Sequence, residues 1–155
     1  IVGIDKEYYA RESEKTPTMF RYSTYAQNES MYNTPPTFQI YVFGLVLKWI
    51  EKMGGLAGMD AHNEKKASHI YRVIDEFPDF YLGHAKPGSR SLMNITWNLA
   101  DKSREEAFLK GTVERKMNGL KGHRAVGGLR ASVYNAMPEE GCIALAEYMG
   151  EFAKK

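Results

Sequence analysis

Residues 92–99, Leu92-Met93-Asn94-Ile95-Thr96-Trp97-Asn98-Leu99, alternate between two kinds of side chain. Asn94, Thr96 and Asn98 share one parity with Leu92, while Met93, Ile95, Trp97 and Leu99 share the other. Successive side chains of a strand leave from opposite faces, so this spacing predicts a β-strand with one face in a core. Most of its surroundings carry a helical period instead. Upstream, Phe38, Tyr41, Val42, Leu45, Trp49 and Ile50 recur every three or four residues behind the breaker Asn33-Thr34-Pro35-Pro36. That predicts a helix ending at Gly54-Gly55, with the aromatic set Tyr32, Phe38, Tyr41, Phe43 and Trp49 in a core. A second helix is expected over residues 59–77, with Ala67, Ile70, Val73 and Ile74 inward and Pro78 closing it.

Further along, Phe80-Tyr81-Leu82 and residues 129–134 are strand candidates. Ser103 followed by Glu106 reads as a capping box that opens a helix to about Met117. Pro138, with Glu139 and Glu140 behind it, starts a last amphipathic helix, as proline and acids at a helix N-terminus do. The order of elements predicts an α+β fold, with helices on one face of a small, mainly antiparallel sheet.

The chain has 155 residues, enough for one domain with a real core. Its 43% hydrophobic and 26% charged residues set it apart from disordered chains, and a net charge of +2 is too small to imply a polyanion partner. Any affinity for anions must therefore be local. The single cysteine, Cys142, forms no internal disulfide, and the apolar run 40–47 contains Gly44 and is too short to span a bilayer. With no basic-then-apolar leader, the expectation is a cytoplasmic protein without a membrane partner. Residues 5–35 read as a connector, and Ile1-Val2-Gly3-Ile4 as the end of a buried strand. An activated trypsin-like protease also starts Ile-Val-Gly, but no serine here has the setting of its nucleophile.

The segment that bears most on chemistry is 120–132, Leu120-Lys121-Gly122-His123-Arg124-Ala125-Val126-Gly127-Gly128-Leu129-Arg130-Ala131-Ser132. Glycine permits left-handed backbone and close approach of a ligand. Arginine offers a fixed fork of donors matched to carboxylate or phosphate, and imidazole can donate a hydrogen bond without always adding charge. Two forks and an imidazole in so short a stretch suit a dianionic small molecule, set against a solvated basic turn that uses glycine for geometry. Asn33 and Thr34 precede a helix N-terminus, which attracts phosphate or simply needs a cap. His62 and His69 lack the carboxylate or cysteine that would complete a metal set and read as surface residues. His84 has no evident partner, Cys142 reads as a packed thiol, and Asp75, Glu76 and Asp79 read as a solvated helix end. No catalytic triad, P-loop or metal motif is present, and no catalytic residue is assigned.

Five stretches in register carry a resemblance: Ser30-Met31-Tyr32-Asn33-Thr34-Pro35-Pro36-Thr37-Phe38; Trp49 with Gly54-Gly55-Leu56; Arg90-Ser91-Leu92-Met93-Asn94; Lys121-Gly122-His123-Arg124 with Gly127-Gly128-Leu129-Arg130-Ala131-Ser132; and Tyr134-Asn135-Ala136-Met137-Pro138. Together they resemble the phosphoserine aminotransferase family, fold-type-I class-V enzymes that use pyridoxal 5'-phosphate, from about residue 1 to the end. The resemblance implies a homodimeric transaminase of serine biosynthesis, moving an amino group between glutamate and 3-phosphohydroxypyruvate. It implies that residues 1–35 are a large-domain strand remnant plus connector, and that 36–155 are the small C-terminal domain, beginning with the interdomain helix. By the same likeness Arg130 holds the substrate α-carboxylate, His123 and Arg124 the phosphate or distal carboxylate, and Asn33 and Thr34 the cofactor phosphate of the neighbouring subunit. No lysine here occupies the family's motif for holding the cofactor as a Schiff base, so the chain alone is expected to be inactive. The alternative is a stand-alone module binding phosphate ligands or RNA. A nucleic-acid partner is disfavoured because residues 121–130 hold no aromatic on which to stack a base.

Overall fold

In the computed structural model, which describes residues 2–155, the alternation of residues 92–99 becomes the centre of an antiparallel sheet. The described residues hold four strands: β1 (Tyr81–Gly83), β2 (Asn94–Leu99), β3 (Lys121–His123) and β4 (Gly127–Ser132), in the order β1-β2-β4-β3. Register pairs Tyr81 with Leu99, Ile95 with Ala131 and Lys121 with Leu129. Ile95, Trp97 and Leu99 are buried with Leu129, Ala131 and Val133, whereas Asn94, Thr96 and Asn98 lie on the other face with Arg130 and Ser132. The α+β expectation holds.

Two compact units divide the chain, Ile1–Trp49 and Ile50–Lys155. The first contains the short helices α1 (Lys6–Tyr9) and α2 (Tyr22–Gln27), and most of α3 (Thr37–Lys52). Residues 5–35 are thus more ordered than a bare connector. Arg21 helps fasten them, its Nε donating to the Thr16 carbonyl, and Glu12 accepts from the Ser23 amide at 3.0 Å. Ile1 lies outside the described residues; Val2 to Ile4 form no strand, and Val2 and Ile4 are exposed, contrary to the buried-strand reading. The aromatic set also departs from expectation. Helix α3 buries no residue, Phe38 is 72% and Tyr41 64% exposed, and Tyr32 and Phe43 are exposed as well. Periodicity identified an apolar helix correctly but carries no information about what covers it.

The second unit packs α4 (Gly55–Glu76), α5 (Glu105–Glu114) and α6 (Glu139–Ala153) around the buried face of the sheet. Phe108 is fully buried at its centre, edge-on to Tyr81, Trp97 and Phe152 and tilted against Tyr148 at 5.0 Å. Burying such a ring contributes roughly 1.5–3 kcal/mol. The polar ends of these aromatics are satisfied inside: the Tyr81 hydroxyl donates to the Met149 carbonyl at 2.7 Å and the Tyr148 hydroxyl to the Phe108 carbonyl at 2.9 Å. Burial pushes both phenols above their usual pKa range.

The predicted capping box at Ser103 is not what opens α5. The chain enters through a 3-10 turn, Lys102–Arg104, in which Asp101 accepts from the Ser103 amide at 2.9 Å and the Ser103 hydroxyl at 2.7 Å. Aspartate competes well with serine for this role because its carboxylate takes both donors. Asp75 is more than a solvated helix end, since both its oxygens accept from the Arg90 guanidinium at 2.7 and 2.5 Å, and that guanidinium lies 4.5 Å over the Tyr71 ring. His69, expected on the surface, meets Glu139 at 2.8 Å, and Lys65 reaches the same carboxylate at 2.9 Å. The start of α6 is thereby tied to α4. Among the described residues no helix is long and apolar enough to cross a membrane.

Candidate functional site

Strands β3 and β4 form a hairpin that carries all the basic residues singled out in segment 120–132. Its turn, Arg124-Ala125-Val126, is closed by the Val126 amide donating to the His123 carbonyl at 2.9 Å. Two glycines explain why the segment folds this way. A Cβ at Gly122 would lie 2.6 Å from the Gly128 carbonyl oxygen and would collide with that of Gly127. Gly128, at φ +68°, has Asn98 Oδ1 in the place a Cβ would take and the Trp97 carbonyl 2.9 Å from it. Glycine is therefore required on both strands for them to approach β2 and each other.

Arg130 sits midway along β4, its Cα opposite Thr96, on the polar face shared with Asn98 and Ser132. It is half-buried, and its Nε is shielded from solvent without a hydrogen-bond partner among the described residues. His123 ends β3 and is exposed; its Nδ1 accepts from the Ala125 amide at 3.2 Å, so the neutral ring carries its proton on Nε2, facing outward as a donor. Arg124, in the turn, is exposed and makes no ion pair among the described residues. Positive φ at both Gly127 and Gly128 bends the tip, so the alternation that sets Arg130 does not extend to His123 and Arg124. The three lie on one hairpin, two at its tip and Arg130 about 10 Å along its stem.

Asn33 and Thr34 belong to the other unit. Both are exposed just ahead of α3, whose first turn is started by the Pro36 carbonyl accepting from the Ile40 amide at 3.0 Å. Neither side chain makes a hydrogen bond among the described residues, so Thr34 is not serving as the cap that its position suggested. Among the described residues no cluster of three His, Cys, Asp or Glu is placed to hold a metal.

One functional-looking group escaped the sequence reading. Lys66 is fully buried, and its ammonium donates to the carbonyls of Tyr134 and Asn135 at 2.8 and 3.3 Å, while Asn63 Nδ2 donates to Asn135 Oδ1 at 2.9 Å. Burial holds the Lys66 pKa below the usual lysine value and raises the Cys142 thiol beside it. The signal was present in the spacing, since Asn63, Lys66, Ala67 and Ile70 share one face of α4. A similar surprise is His84, whose ring nitrogen lies 3.2 Å from the Asn98 amide on the polar side of the sheet.

Comparison with known proteins identifies the family. A sequence model of the class-V aminotransferases ("Aminotransferase class-V") matches residues 9–145. Phosphoserine aminotransferase of Herpetosiphon aurantiacus is 50% identical over 155 residues, all of this chain and 43% of that relative, and the enzyme of Lysinibacillus sphaericus is 49% identical over the same span. Among solved structures, phosphoserine aminotransferase from Bacillus circulans subsp. alkalophilus aligns over 96% of this chain and 41% of its own at TM-score 0.88 and 51% identity. The pyridoxal-phosphate-bound enzyme from Trichomonas vaginalis aligns over 88% of this chain and 39% of its own at TM-score 0.78 and 41% identity. The chain spans a little over two-fifths of the length of the curated relatives it matches. With the family sequence pattern running through nearly all of its residues, it belongs to the class-V aminotransferases.

Proposed function

We propose that the chain is the C-terminal domain of a pyridoxal-phosphate-dependent phosphoserine transaminase, which moves an amino group between glutamate and 3-phosphohydroxypyruvate. The observation that carries this reading is Arg130, a half-buried guanidinium with an unpartnered Nε on the polar face of the sheet, on the same hairpin as His123 and Arg124. In this reading Arg130 binds the α-carboxylate common to every substrate of the reaction. His123, through its outward Nε2–H, and Arg124 take the phosphate of phosphoserine or the distal carboxylate of glutamate. A fork is well suited to both anions because its donors match two oxygens at once.

Pyridoxal phosphate, when bound, supplies the electron sink for the chemistry. Asn33 and Thr34, exposed and with free donors ahead of α3, fit its phosphate, contributed across a homodimer to the neighbouring subunit. The tether does not come from Lys66, whose amine already serves two carbonyls in the core. This chain's own work is to bind and orient anions, with residues 1–35 as a large-domain remnant plus connector, 36–155 as the small domain beginning with the interdomain helix, and the whole in the cytoplasm.

Amino transfer from phosphoserine to 2-oxoglutarate tests the reading in the full-length protein. Arg130→Ala removes a charge-assisted pair of bonds, about 1.5–3 kcal/mol, and should raise KM for every amino acid about 10- to 150-fold. Arg124→Ala should weaken phosphoserine and spare an analogue lacking the phosphate. The 155-residue chain should show no turnover. Turnover by that chain alone, or an unchanged KM in Arg130→Ala, would sink it.

A further inference from the structure

Pairing between β2 and β4 stops short of the hairpin's turn. The Val133 amide donates to the Met93 carbonyl at 2.7 Å, and the Arg130 amide donates to the Leu120 carbonyl at 2.8 Å, so main-chain bonds hold the stem around Arg130 on both sides. The β2–β4 register ends with Trp97 opposite Leu129. Beyond it Gly128 and Gly127, at φ +68° and +78°, swing the tip out of strand geometry.

At that point a side chain takes over from the ladder. Asn98 follows Trp97 on β2, half-buried on the polar face, and its Oδ1 sits where a Gly128 Cβ would be. Its Nδ2 lies 3.2 Å from His84 Nε2 and donates to it, which leaves the proton of the neutral His84 ring on Nδ1. His84 is tied to the same strand by its amide, which donates to the Thr96 carbonyl at 3.4 Å. The carboxamide thus bridges the end of β1 and the root of the hairpin tip. Its two ends are not interchangeable: the amine is engaged by His84, so the oxygen is what meets Gly128. Asparagine is depleted in strands, where Thr or Val packs better. Filling the space beside a glycine would not require a carboxamide tethered to a ring on its other side.

We infer that Asn98 is a positioning residue that aims the hairpin tip, and with it the grip of His123 and Arg124 on a substrate's second anion, while His84 holds the Asn98 carboxamide in the orientation this needs. The inference rests on the reading of this hairpin as the anion grip of a phosphoserine transaminase. Arg130 is placed by the ladder and owes little to Asn98, so the grip on the α-carboxylate is independent of it. His84 touches the tip only through Asn98. A contact of this kind sets specificity between substrates with and without a second anion, because a small displacement of one binding group is felt by the ligand that needs it and by no other.

The test uses the full-length protein. In Asn98→Ala, KM for phosphoserine should rise about 5-fold, the equivalent of one net hydrogen bond, with kcat within about 2-fold of wild type. The inhibition constant of propionate, which offers a carboxylate and no second anion, should stay within about 2-fold. Asn98→Gln keeps the carboxamide and should restore KM. His84→Ala should give a smaller rise, and none when added to Asn98→Ala. In amide hydrogen exchange, the Val126 amide at the tip should exchange about 10-fold faster in Asn98→Ala, while the Arg130 amide in the stem keeps its rate. An unchanged KM, equal losses for phosphoserine and propionate, no recovery in Asn98→Gln, a His84→Ala effect that persists without Asn98, or tip and stem amides that move together would each overturn the inference. Wild-type protein without transaminase turnover would refute the functional reading instead, and the exchange of the two amides would still decide the positioning role.

Discussion

Three glycines around the hairpin separate two sources of strain, and alanine substitutions should rank accordingly. Gly119 has φ +80° and open space where a Cβ would go, so Gly119→Ala meets only the backbone penalty of the left-handed region. That penalty is about 1–2 kcal/mol, less a few tenths returned by restricting the unfolded chain. Gly122 has an ordinary φ but would place its Cβ against the carbonyl oxygens of Gly127 and Gly128. These are backbone atoms of the paired strand, so relief requires opening β3 from β4. Overpacking costs about 1–3 kcal/mol, and each lost ladder bond adds about 1 kcal/mol, which gives Gly122→Ala a loss of about 3 kcal/mol. Gly128→Ala combines a φ of +68° with collision against Asn98 Oδ1 and should lose about 2–5 kcal/mol. Urea unfolding of the 155-residue chain would report this through Trp97, fully buried beside Gly128, in a Trp49→Phe background. Equal losses in Gly119→Ala and Gly122→Ala would refute the steric argument.

Other expectations follow from the core. Phe108→Ala should lose about 3–5 kcal/mol in the same unfolding experiment, since the ring is fully buried against four others; a loss below about 1 kcal/mol would mean the cluster collapses without strain. Because burial lowers the folded pKa of Lys66 below its unfolded value of about 10.4, the penalty of burying its charge is present at low pH and fades as pH rises toward that value. Wild type should therefore gain stability relative to Lys66→Met between the lowered folded pKa and about pH 10. The raised tyrosines are common to both chains and drop out of the difference, while the Cys142 thiol next to Lys66 calls for repeating the comparison with Cys142→Ala. A flat or falling difference contradicts this account. The buried, raised Cys142 thiol should also react with iodoacetamide at neutral pH only at the rate of unfolding, and labelling of the native chain at a free-thiol rate would show it to be accessible.

Much of the second unit was legible because its signals are local and redundant. Parity in residues 92–99 fixed β2 and its buried face, and Pro138 with two acids fixed the start of α6. Strand β3 was not legible: three residues, Lys121–His123, have no apolar alternation, and they become a strand only by pairing with β4. Lys66 was missed because a lysine on an apolar face reads as a blemish until the two carbonyls opposite it are known. At the candidate site, residue types pointed to anion chemistry, but only the fold separates the half-buried, strand-held Arg130 from the exposed turn residues His123 and Arg124. The aromatic face of α3 shows the opposite limit, a pattern that specifies an apolar surface without specifying its neighbour.

The restraints on the β3–β4 hairpin are graded along its length. The stem carrying Arg130 is stitched on both flanks, to Met93 through Val133 and to Leu120 directly, while the turn carrying Arg124 is closed only within itself, His123 accepting from the Val126 and Ala125 amides. A guest grasped by both would thus have one end clamped in a vice and the other met by a hinged finger. In the proposed function, such a grip would tolerate anions of different reach without shifting the clamped end.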